Sequence, residues 1–154
     1  MLTLPPELAN PVEQLRAQLV EINSSEQTCL TNAVAGVSQG KGLPQVQAVM
    51  ARCRQTSAAA AATAIDTFRD GCSELGTRAN PSTSEAIVAA TAKNVSDFWA
   101  KSESLAAAFA SEAAALLPAQ GLDKTIQAIK NLCSDRVSSI NHYFEQLTTE
   151  QFST

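Results

Sequence analysis

Four long stretches of this chain place apolar residues at steps of three and four, and the first three are each closed by a short cluster containing Gly, Pro or Asn. That spacing follows the 3.6-residue turn of an α-helix and leaves no room for the alternation of strands. The expected fold is therefore all-α, an antiparallel up-down four-helix bundle of long helices. Alanine, the strongest helix former, supplies 27 of the 154 residues, and aromatic residues only 5%.

Residues 1–10, with Pro5, Pro6 and Asn10, read as an extended lead-in, and residues 11–154 as one helical-bundle domain. Helix 1 is expected from Pro11, behind an Asn10 N-cap, to Ser38. Its stripe is Val12, Leu15, Leu19, Ile22, Cys29, Ala33 and Val37, with Glu26 interrupting it at the edge. Residues 39–42 close it with two glycines. Helix 2 is expected from Leu43 to Leu75 along Val46, Met50, Cys53, Ser57, Ala60, Ala64, Phe68, Cys72 and Leu75. A break near Gly71 would make five helices of the four. Ser82 and Glu85 form a capping box that opens helix 3. Its stripe runs through Val88, Val95, Phe98 or Trp99, Ser102, Leu105, Phe109 and Leu116, and it stops around Leu117–Gly121. Helix 4 is expected from Leu122 to Glu150 along Ile126, Ile129, Cys133, Val137, Ile140, Phe144 and Leu147.

The four cysteines, Cys29, Cys53, Cys72 and Cys133, all fall on apolar stripes and make no CxxC pair. With one histidine in the chain, that spacing does not suit a zinc site, and neither metal nor cofactor is expected. An even count favours two disulfides and an oxidising compartment. Counting from the turns puts Cys29, Cys53 and Cys133 in one layer, while Cys72 lies 19 residues beyond Cys53, about 28 Å along a straight helix. Cys29–Cys53 and Cys29–Cys133 both fall within disulfide reach. The favoured pairing is Cys29–Cys53 with Cys72–Cys133. The second bridge requires helix 2 to fold back near Gly71; otherwise Cys72 is free.

A hydrolytic triad needs a base beside a nucleophile. His142 is the one histidine, and the nearest cysteine, Cys133, is nine residues up the same helix, about 14 Å away. No Glu-x-x-His pair, P-loop or G-x-G-x-x-G occurs, and Glu26, Glu85, Glu103 and Glu112 do not build a four-carboxylate layer. No catalytic residue is assigned, and the chain is read as non-enzymatic. A net charge of −4 without a basic run argues against nucleic acid, and no stretch is long and apolar enough to span a membrane.

The expected function is a secreted, disulfide-stapled bundle that binds a protein partner or carries an apolar small molecule or lipid between its helices. The candidate lining is Val95, Phe98, Trp99, Leu105, Phe109, Ile129 and Ile140. The start Met would then be an addition to a mature form, and reduced cysteines would instead point to the cytoplasm. Asn23 and Asn94 head N-x-S sequons, glycosylation candidates provided that both face solvent. The alternative is an amphipathic protein that coats a lipid droplet, granule or matrix surface, or that self-associates. In composition alone the Ala-rich, long-helix style resembles that of apolipophorins and granule-coating phasins, and the smooth Ala58–Ala62 surface also suits a homodimer.

Overall fold

A computed structural model describes residues 6–76 and 81–149. The side chains of some helical residues, Cys72 and Phe109 among them, lie outside the described residues. Four helices follow in order: α1 (Pro6–Ala35), α2 (Leu43–Gly76), α3 (Pro81–Gln120) and α4 (Leu122–Thr149). Among the described residues there is no strand. Each helix packs on the next, and α4 returns to α1, giving the cyclic order α1–α2–α3–α4 of an all-α bundle.

The breaks act through glycine. After α1 a 3₁₀ turn (Gly36–Gln39) ends on Gly40, whose φ of 83° is left-handed and whose N–H reaches the Gly36 and Val37 carbonyls. Gly121, at φ 86°, is the whole connection between α3 and α4. Its N–H bonds the Leu117 carbonyl at 3.1 Å. Pro118 therefore does not stop α3, which continues to Gln120.

The expected lead-in is corrected at its end, because the helix already begins at Pro6. A proline fits a first helical position, since its missing N–H has no partner there anyway. Pro11 falls inside α1 and gives up the bond to the Glu7 carbonyl. α2 runs unbroken through Gly71, so the helices number four.

The core divides in two. One apolar cluster holds Val12, Leu15, Leu19, Ala61, Ile65, Phe68, Val95, Trp99, Ile140, Phe144 and Leu147. The other holds Leu30, Ala33, Val34, Val46, Met50, Cys53, Leu117, Ile129 and Cys133. Between them along α1 lie Asn23 and Glu26, both buried. The buried line of α1 is thus Leu19–Asn23–Glu26–Leu30–Val34, one position aside from the expected Ile22–Cys29–Val37, and Val37 is exposed.

The Cys29–Cys53 disulfide joins α1 to α2 with the Cα atoms 5.8 Å apart. Cys133 is a free, buried thiol, so the expected Cys72–Cys133 bridge is not formed. Helix geometry explains this: α2 does not fold back, and 19 residues of straight helix separate Cys72 from the layer of the other three. Closing a loop of 24 residues restricts the unfolded chain. Replacing Cys29 and Cys53 together by Ser should lower stability by about 3 kcal/mol in urea titration while the helical circular dichroism persists.

Candidate functional site

The layer between the two apolar clusters carries charge. Each helix supplies one residue: Glu26 from α1, Arg54 from α2, Glu103 from α3 and Arg136 from α4. They form a closed ring of alternating sign. Arg54 pairs with Glu26 through Nη1 and with Glu103 through Nη2 at 2.8 Å. Arg136 donates to Glu26 from Nη1 at 2.6 Å and to Glu103 from Nη2 at 3.0 Å. Every pair links two neighbouring helices.

Further bonds hold the ring in place. Arg136 Nε donates to Ser102 Oγ at 2.8 Å, and Arg54 Nη2 also reaches the Glu103 carbonyl at 2.7 Å. The Arg136 guanidinium lies over the Trp99 ring, 4.6 Å from its centroid. Asn23 donates from Nδ2 to the Cys133 carbonyl at 2.9 Å and is 1% exposed. An amide so enclosed cannot receive a glycan in the folded chain, which corrects the sequon assigned to Asn23. Asn94 is exposed, and its Oδ1 accepts the Tyr143 hydroxyl.

Buried ions stay charged only when paired and hydrogen-bonded, and here each arginine meets two carboxylates. Cys133 lies close enough to feel the ring. Burial pushes its thiol from 9.0 up to about 11, Glu26 pushes the same way, and Arg136 and Arg54 oppose them. A thiol so held is a poor nucleophile at neutral pH. Among the described residues no group of three or more His, Cys, Asp or Glu is placed to hold a metal ion. His142 is exposed on α4.

The expected lining residues separate into two sets. Val95, Trp99 and Ile140 are packed into the first apolar cluster and Ile129 into the second, so these four fill the core rather than line a pocket. Their size and their steps of three and four fit a core position equally well. Phe98 and Leu105 border a cleft of about 420 Å³ between α3 and α4, together with Lys101, Ser102, Ala106, Leu132, Asp135, Arg136 and Ser139. Leu105 is 63% exposed at its edge, which corrects its place on the core stripe, where Ala106 is buried instead. On the opposite side of the bundle, α1 and α2 flank a groove of about 480 Å³ rich in hydroxyls, including Ser25, Thr56, Thr63 and Thr67.

The sequence reading missed Leu132 and the entire ion ring. Glu26 interrupting an apolar stripe was the one visible sign of the ring. No protein-family model, curated protein or solved structure matches this chain.

Two measurements test this layer. Arg136→Met alone leaves Arg54 to serve both buried carboxylates, one negative charge in excess, and should cost about 3–5 kcal/mol in urea unfolding, whereas replacing all four ring residues by apolar ones of similar volume should restore most of that stability. The unfolded chain ionises Cys133 near pH 9 and the folded chain near 11, so ionisation favours unfolding in that window. Stability should fall as pH rises from 9 to 11, and less so in Cys133→Ala, when thermal melts of the two are compared.

Proposed function

We propose that this chain is a non-enzymatic, secreted binding protein whose bundle takes an apolar small molecule in the cleft between α3 and α4. The observation that carries the reading is the cleft itself. Phe98, Leu105, Ala106 and Leu132 give it an apolar floor, and Leu105 exposes most of its surface at the edge. Clefts between the helices of a bundle are favoured ligand sites. The Cys29–Cys53 bridge supports an oxidising, extracellular setting. The buried, high-pKa thiol of Cys133 favours binding over covalent catalysis.

The surface-coating alternative requires the helices to part and spread their apolar faces. Opening the bundle would strand the four charges of the ring and pull against the disulfide joining α1 to α2. Both weigh against it. No helix among the described residues is long and apolar enough to cross a membrane.

A polarity-sensitive naphthalene dye titrated into the protein should brighten saturably in the micromolar range. Leu105→Asp, at an exposed position, should leave the melting temperature within a few degrees and weaken the dye about tenfold, the order expected for losing one apolar contact surface. A linear, unsaturable response would remove the binding reading.

A further inference from the structure

The α3–α4 cleft is built to select rings over chains, and we infer that its ligand class is an uncharged, planar aromatic molecule of about two fused rings. This rests on the reading of the cleft as a ligand site. The first support is a fixed aromatic plate. Phe98 lies parallel to Tyr143, with centroids 4.1 Å apart and planes 2° apart. Tyr143 is pinned in turn: its hydroxyl donates to Asn94 and its ring meets Phe144 edge-on at 5.1 Å. Phe144 is buried in the core. Phe98 borders the cleft and Tyr143 does not. One face of Phe98 is therefore taken by Tyr143, and the part of the side chain that borders the cleft is held in a fixed orientation against which an incoming ring can pack. Aromatic packing of that kind adds to simple apolar burial.

The second support is size. The cleft spans Phe98 to Ala106 on α3 and Leu132 to Ser139 on α4, about 10–12 Å of helix at 1.5 Å per residue. That length matches a bicyclic ring and is too short for an extended long acyl chain. The third support is charge. Arg136 is the one buried cation at the cleft, and its Nε, Nη1 and Nη2 already serve Ser102, Glu26 and Glu103. Its charge already faces the carboxylates of Glu26 and Glu103, so it exerts little net pull on a further carboxylate or phosphate. Lys101 and Asp135 at the edges are both exposed and oppose each other in sign, so the cleft has no net preference for an anion. The hydroxyl side chains of Ser102 and Ser139 border the same space and suit a ligand carrying one hydroxyl or N–H group.

The test compares 2-naphthol with palmitate on the oxidised full chain, by calorimetry and by proton NMR. Naphthol should bind saturably with ring-current shifts confined to Phe98, Tyr143 and their neighbours, and palmitate should bind more weakly. Phe98→Leu keeps an apolar floor and removes the plate, so it should weaken naphthol about three- to tenfold and leave the naphthalene dye's sensitivity to Leu105→Asp intact. A chain that folds, binds the dye at the cleft and holds naphthol equally well as Phe98→Leu overturns the aromatic class while the cleft reading stands. Palmitate binding tighter than naphthol overturns it in the same way. Failure of dye, naphthol and palmitate alike overturns both.

Discussion

Four charges shared among four helices set the architecture of this bundle. In the Glu26–Arg54–Glu103–Arg136 ring each charge is neutralised by its two neighbours on adjacent helices. Apolar stripes alone let helices slide by a turn or exchange neighbours at little cost. The ring forbids both. A shift of one turn along any helix would move its charge about 5 Å, out of salt-bridge distance and into an apolar layer. An arrangement with α1 beside α3 would set Glu26 against Glu103. The ring therefore fixes register and neighbour order together, and the two apolar clusters above and below it supply the bulk of the burial.

Fixing the register also positions the cleft. Arg136 and Ser102 belong to both: the guanidinium that closes the ring forms part of the cleft wall, and the serine that holds it borders the same space. Trp99 lies beneath the guanidinium, inside the core. The polar layer and the candidate ligand site are thus neighbours in one framework, and the rigidity of the first limits how far the second can deform.

The architecture was legible because its signal is periodic and redundant. Val12–Leu15–Leu19 on α1 and Ile129–Cys133–Ile140–Phe144 on α4 repeat at helical steps, and glycines at 40 and 121 punctuate them. Counting residues from those turns also placed Cys29 and Cys53 level, as the disulfide shows. The charged layer was not legible, since hydropathy sends Arg and Glu outward by default and only their mutual proximity reverses the sign. The same default set Asn23 at the surface. Leu105 failed for the converse reason: hydropathy sends a leucine inward, and the adjacent Ala106 is the buried residue instead. Of the expected lining, Phe98 and Leu105 reached the cleft, and Leu132 joined them from a helix face that the stripes had not marked.

The disulfide ties α1 to α2, on the side of the bundle away from the α3–α4 cleft. One seam carries a cross-link in mid-helix, and the facing seam is joined by the Gly121 turn at one end and by the Arg136–Glu103 ion pair within. Small outward movements of α3 and α4 to admit a guest would pivot on the cross-linked side and leave the disulfide unstrained. The bridge thus constrains the relative movement of α1 and α2 and leaves that of α3 and α4 to packing and ion pairs.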